Sequence, residues 1–341
     1  MLNRLNLPLV FVIALFVACN SPNRKVDISD VAQQVSFYNL QKDLDAADTT
    51  RLTEEHQQLY QRYGSFWREY CEDILRLGAA RSEQSILLWK DFSSDPMIEE
   101  LENAISEVHD ERLPLYEAEI GDALKRFHVL FPENSLPDVV FMNSGFNFGV
   151  WPTDEHLGIG LDFFIGPEHP LVTPLDPNLF PNYQKSKMRP DFLVPDALRG
   201  WLLVSNQQQY YNDENLVQTV LYYGKMMYLL DLMLPEMEDH RLIDYTAEEL
   251  QWCRENERNL WISFSNQDVL YERRKFEINR WVTDAPFTRA VDLPQETPGR
   301  VGIWIGWQIV SDYMQRNPEV SPAEMLKITN PITFLNAYRP D

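Results

Sequence analysis

Apolar positions dominate one stretch of the chain above all others. QTVLYYGKMMYLLDLMLP, Gln218 to Pro235, is hydrophobic around its whole circumference, which predicts a long helix buried on every side. Only Gly224 and Lys225 break that pattern in its middle. Earlier, LTEEHQQLYQRYGSFWREYCEDILRL sets Leu59, Phe66, Tyr70, Ile74 and Leu77 near helical spacing and offers Thr53 as N-cap. PMIEELENAISEV and LYEAEIGDALKRFHVLF keep the same period until Pro132 stops it. From Pro137 the pattern shortens. DVVFMN, FNFGVW and HLGIGLDFFIG are aromatic and β-branched runs set apart by Asn, Gly and Pro, and they predict a meander of about three strands. Six prolines from Pro167 to Pro190 then mark a long irregular loop, open as a docking surface or as an insertion.

The last third returns to helices with clear start signals. Thr246 and Glu249 form a capping box before ELQWCRENERNLWISFS, and Ser321, Pro322 and Glu324 supply N-cap, N1 proline and reciprocal glutamate. In ETPGRVGIWIGWQIVSDYM, Thr297 and Pro298 read as N-cap and N1, which places Arg300 at N3. Gly299, Gly302 and Gly306 fall on roughly one face of that helix and invite close approach of another, with Gly224 as a contact partner. The apolar run there is about ten residues, half of what a membrane span needs. Helices, a small antiparallel sheet, then helices again give a mostly helical α+β fold class.

Charge changes the list of partners. The formal net charge of −22 repels phosphate backbones, and no basic stripe offsets it, so nucleic acid is not expected as a partner. The six histidines never stand four apart, so no helix carries the paired imidazoles of a zincin metallopeptidase. A different zinc site would have to use His156, His169 and acidic neighbours. No G-x-S-x-G elbow and no phosphate-binding glycine loop occurs. No catalytic residue, metal ligand or cofactor is assigned from the sequence.

Two cations stand against expectation. Lys225 lies inside an apolar run, where an ammonium must snorkel to water or find a partner. A cation at the start of a helix, as at Arg300, opposes the helix dipole and calls for an anion, with Glu296 or Asp162 as internal choices.

The first residues, MLNRLNLPLVFVIALFVAC, carry Arg4, an apolar stretch from about Leu7 to Ala18, and then Cys19. This resembles the lipobox of bacterial lipoproteins, with Phe16 where Leu is usual, and predicts a signal peptide over 1–18 and acylation at Cys19. Residues 19–27 would be a lipidated tether and 28–341 a single domain. Within it we expect N-terminal helices over about 28–135, the strand meander over 136–166, the proline-rich loop over 167–195 and C-terminal helices over 196–341. Cys71 and Cys253 sit next to aromatics on predicted helices and read as buried thiols, although a disulfide between them stays open.

YYGKMMYLLDLMLPE, DYTAEELQWCRENERNLW, APFT and PGRVGIWIGWQIVSDYM, after a lipobox, resemble the gliding motility-associated lipoprotein GldB family of Bacteroidetes, most strongly over residues 191–341. The resemblance implies a cell-envelope lipoprotein linked to gliding motility and its accompanying secretion machinery, in a family that also occurs in species that do not glide. It further implies a zincin-like fold whose zinc-ligand helix is replaced by YYGKMMY, a pseudo-metallopeptidase. On that basis we expect a non-catalytic scaffolding or binding protein, held by lipid to a membrane and contacting other envelope proteins. Asn20 is not the acidic residue linked to inner-membrane retention, which favours the periplasmic face of the outer membrane. The alternatives are a hydrolase with an unconventional site built from Lys225, Tyr228, Asp162 and Arg300, and a carbohydrate-binding lipoprotein with exposed aromatic rings.

Overall fold

Successive residues of one short strand face two different cores. The computed structural model describes residues 25–340 apart from 33, 79, 208–214 and 291–292, so Cys19 and its signal lie outside the described residues. Strand β1 (Phe37–Asn39), β2 (Asp138–Met142), β3 (Val150–Pro152) and β4 (His156–Gly160) form one sheet in the order β1-β2-β4-β3. Side chains alternate across a strand. Val139, Phe141, Leu157 and Ile159 therefore join a large core built mainly from residues after 100, while Val140 and Met142 join a smaller one. Leu59, Phe66, Trp67, Tyr70 and Trp89 fill that smaller core, so the sheet lies between the N-terminal helices and the rest.

The sheet corrects the antiparallel meander. β1 and β4 both run parallel to β2, and only β3 pairs antiparallel, with β4. Three residues, FYN, are too few to show a period in the sequence, so β1 was not foreseen. Its parallel pairing is possible because the helices between it and β2 supply the long crossover that parallel strands require. In FNFGVW only Val150 and Trp151 belong to a strand, and the tight reversal at Thr153–Glu155 makes the one antiparallel pair.

Both capping boxes form as the sequence requires: Thr246 with Glu249 at the helix Ala247–Glu255, and Ser321 with Glu324 at the helix Pro322–Lys327. Thr53 does not cap its helix, which runs Leu52–Tyr63 from Arg51; its hydroxyl instead donates to Glu83 at 2.6 Å. The proline-rich loop is organised around a buried lysine, Lys185, whose ammonium donates to the carbonyls of Thr173 and Leu175. Near the chain start, exposed Lys25 pairs with Glu236 at 2.8 Å.

The apolar run becomes the central helix, Leu216–Met233, which is buried on nearly every side. Against it lies the glycine helix, Val301–Arg316. A Cβ added at Gly224 would sit 2.2 Å from the Gly306 carbonyl oxygen, and one at Gly306 would sit 2.1 Å from that of Val220. Gly302 is closed in the same way by the Trp281 carbonyl oxygen at 2.9 Å, and Gly299 by that of Ala285 at 1.9 Å. Backbone thus lies on backbone where the two helices meet. Cys71 and Cys253 are buried free thiols. Among the described residues, no helix is long and apolar enough to cross a membrane.

Candidate functional site

Arg241 to Tyr245, RLIDY, ends the short helix Asp239–Leu242 and turns toward the next one, and every residue in it is tied down. Arg241 donates to the Asp191 carbonyl, and the carbonyls of Leu242 and Ile243 accept from Arg199 and Arg300 at 2.9 and 2.7 Å. The Tyr245 hydroxyl donates to the Gly299 carbonyl at 2.6 Å. Asp244 lies at the centre. Arg199 grips both of its carboxylate oxygens, and Arg300 reaches Oδ2 with both terminal nitrogens at 3.3 Å.

Three further charges complete the cluster. Asp196 sits one helical turn before Arg199, on the helix Leu193–Ser205, and accepts from it at 2.7 Å. Asp284 lies 3.4 Å from Arg300 Nε and also accepts from Lys187. Burial raises the Asp196 carboxyl, and the negative charge of the neighbouring Asp244 raises it further. At Asp244, burial also favours protonation, but the guanidiniums of Arg199 and Arg300 override it and hold the group well below the usual carboxylate range. Of the two, Asp196 is thus pushed toward its neutral form and Asp244 toward its ionised one. Burial and the nearby Arg300 charge together lower the Lys187 ammonium. Three cations, Lys187, Arg199 and Arg300, thus face three acids, Asp196, Asp244 and Asp284.

The backbone around the cluster is unusual too. Asp244 and Arg300 are non-glycine residues with φ of 53° and 59°, in the left-handed region that side chains disfavour. Such positions persist only when surrounding bonds over-determine them, and they gather at functional sites. The glycine helix begins at Val301, so Arg300 is its N-cap rather than its third residue. Thr297 turns back onto the Pro294 carbonyl, and it is Thr288, from another loop, whose hydroxyl accepts from the Val301 N–H. The anions that meet Arg300 are Asp244 and Asp284, not Glu296 or Asp162.

Two clefts open on the cluster. One, of about 640 Å³, runs past Tyr183, Arg241, Tyr245 and Glu248; the other, about 370 Å³, is walled by phenylalanines. Lys187, Asp244 and Asp284 line both.

The four polar residues singled out in the sequence do not converge. Asp162 is fully buried beyond the end of β4, where it accepts from the Ser144 N–H and hydroxyl, both at 2.8 Å, and from the Phe146 N–H at 2.6 Å. Its carboxyl organises the turn that follows β2. Lys225 donates to the carbonyls of Leu326 and Ile328 at 3.2 and 2.7 Å, at the exposed carbonyl end of the helix Pro322–Lys327, with the Phe334 ring 5.4 Å away. Burial lowers its ammonium from 10.5 to about 8. Tyr228 lines a third cleft, with Gln308 and Asp312. Only Arg300 belongs to the charge cluster.

The histidines take structural places. His109 is buried between the Tyr116 hydroxyl and the Leu161 carbonyl, and burial lowers it to about 4. His156 lies in β4 against the Phe66 ring, and His169 accepts from the Leu171 N–H in the proline-rich loop. Among the described residues, no three His, Cys, Asp or Glu side chains are arranged to hold a metal ion.

The family model for gliding motility protein GldB matches residues 21–340. The chain belongs to the GldB family. The match takes in the whole cluster and both clefts that open on it. Searches among curated proteins and among solved structures found no match.

Sequence reasoning reached one member of the cluster and missed five. Asp196 and Arg199 did leave a signal, since LVPDALRGWLLV is otherwise apolar and the two charges stand three apart, the spacing of a helical ion pair. Asp244 left none. Its role depends on a left-handed backbone between two helices, and an aspartate there reads as an ordinary turn residue.

Proposed function

We propose that this GldB-family protein is a lipid-anchored, non-catalytic component of the cell envelope that binds other proteins of the gliding and secretion machinery. Family membership supports the link to motility. The anchor rests on the lipobox at Cys19, and the non-acidic Asn20 that follows it favours the periplasmic face of the outer membrane. The observation that carries the non-catalytic role is the dispersal of the polar residues that an unconventional hydrolase would gather. Asp162 and Lys225 are bound to backbone groups in separate parts of the molecule, and Tyr228 lies in a cleft of its own. A pseudo-metallopeptidase ancestry fits a central helix with no metal ligand facing a partner, and it belongs to this reading alone.

Replacement of Cys19 by Ser in the source cells tests the anchor. Incorporation of labelled palmitate should be lost, and the chain should leave the membrane fraction. In vivo cross-linking of the unaltered protein, with the bound chains identified by mass, should recover envelope proteins of the gliding or secretion machinery. A chain that stays membrane-bound without Cys19, or cross-links only to itself, would sink the proposal.

A further inference from the structure

The stretch YERRKF, Tyr271 to Phe276, holds the only run of three consecutive cations in a chain whose net charge is −22. Its loop is held in shape. The Glu272 carboxylate accepts from the N–H groups of Arg273 and Arg274 and grips the Arg274 guanidinium through Nε and Nη2. The Glu272 carbonyl accepts from the Leu216 N–H at 2.9 Å, which ties the loop to the first residue of the central helix. Glu272 is thus occupied by Arg274 and by backbone. Arg273 and Lys275 stay exposed, and neither forms an ion pair among the described residues. Beside them Phe276 is 68% exposed and Tyr271 45%. The Arg280 guanidinium lies 4.5 Å from the centre of the Phe276 ring and holds it outward. An aromatic side chain already fixed in one position loses little freedom on binding.

This patch and the expected anchor lie at opposite ends of the central helix. Leu216 begins the helix, whereas Glu236, just past its end, holds Lys25 at 2.8 Å. A helix of 18 residues is about 27 Å long. The six residues that lead from Cys19 to Lys25 reach at most about 20 Å when fully extended. With the helix upright and this loop on the membrane, Lys25 would stand beyond the reach of its lipid. The chain length therefore turns the loop toward something other than the anchoring membrane, and its charge calls for an acidic partner.

We propose that Tyr271 to Phe276 is a docking surface, directed away from the anchoring membrane, for an acidic segment of a partner polypeptide. Carboxylates of that segment pair with Arg273 and Lys275, and an apolar residue among them packs on the Phe276 ring. Opposite charges speed the encounter and set the orientation, while the ring supplies contact area. This deepens the binding role proposed above and rests on it, but loss of the Cys19 anchor and loss of docking are read independently.

Fluorescence anisotropy of the full-length protein in detergent, with a labelled peptide of six glutamates and two phenylalanines, tests it. Half-saturation is expected near about 0.1 mM at low salt. Salt at about 0.5 M should weaken binding about fivefold, because exposed charges are screened. A peptide with glutamine in place of glutamate should bind about tenfold more weakly. Arg273→Gln combined with Lys275→Gln should weaken the acidic peptide about tenfold, and Phe276→Ser about fivefold, with melting temperatures unchanged. Lys42→Gln combined with Arg51→Gln removes the same charge from exposed positions elsewhere and should leave binding unchanged, which separates a local site from the overall field. Equal effects of the two double substitutions, equal binding of the glutamate and glutamine peptides, or no saturation below about 1 mM overturns the proposal. So does flotation of the Cys19→Ser protein with phosphatidylglycerol vesicles that is lost with Arg273 and Lys275, since that would assign the patch to a membrane.

Discussion

The glycine helix is fixed at its middle and at its start by opposite means. In the middle, Gly302 and Gly306 bring its backbone against the central helix and the Trp281 carbonyl with no polar side chain between them. At the start, Arg300 enters a buried set of three cations and three acids, with its backbone held in a left-handed conformation. The first contact admits no adjustment, because carbonyl oxygens occupy the places where Cβ atoms would go. The second is a balance of charges and can be shifted by moving one proton or adding one ion. Shape alone specifies the one region, and electrostatics the other. The two clefts that meet the charge cluster lie at that start, whereas the cleft lined by Gln308 and Asp312 lies toward the other end of the helix.

Three changes probe the contrast. Gly306→Leu should have the largest effect. Its first added atom would sit 2.1 Å from the Val220 carbonyl oxygen, far inside van der Waals contact, and a loss of about 4–5 kcal/mol or more leaves little folded protein in a soluble fraction. Recovery of this variant with an unchanged melting temperature would refute the backbone contact.

Asp244→Asn comes next. It leaves Arg199 and Arg300 without their common carboxylate, and a buried pair broken on one side costs about 3–5 kcal/mol. Asp196→Asn is the control that sharpens it. If Asp196 already holds the proton, its amide replaces a neutral acid and should cost less than about 1 kcal/mol in urea unfolding. Equal losses for the two variants would show that Asp196 is as fully ionised as Asp244.

Lys225 gives an effect that is visible in pH dependence. Its folded value of about 8 lies below the ordinary 10.5, so between these limits the unfolded chain binds more protons than the folded one. Stability therefore rises with pH across that window, by up to about 3 kcal/mol, as the cost of burying the charge disappears. Below pH 8 both states are protonated and the slope vanishes. Lys225→Met should lack the alkaline rise, measured as the difference between the two proteins' unfolding free energies at pH 8 and pH 10.5. Parallel curves would count against a buried ammonium.

The regions also differ in how far they could be read from the sequence. The glycine face and its contact with Gly224 follow from spacing alone, since small residues three and four apart must line one side of a helix. Capping boxes were legible for a similar reason: both partners lie within four residues. The parallel sheet was not, because Phe37–Asn39 finds its partner on the far side of seven helical segments. The charge cluster was the least legible part. Its six residues come from five segments between Lys187 and Arg300, and each looks ordinary where it stands. Arg300 drew notice only because a cation at a helix start is electrostatically misplaced, and even there the sequence pointed to the wrong acids.

The pairing of β1 with β2 has a consequence for the order of folding. The chain's first strand finds its neighbour about a hundred residues later, and contacts of such separation form slowly because a large loop must close first. Synthesis from the N-terminus makes Phe37–Asn39 long before Asp138–Met142 exists to receive it. Strand β1 is thus a late closure, laid against a sheet edge that β2 and β4 have already built. Hydrogen exchange during refolding should find the amides of residues 37–39 among the last to become protected.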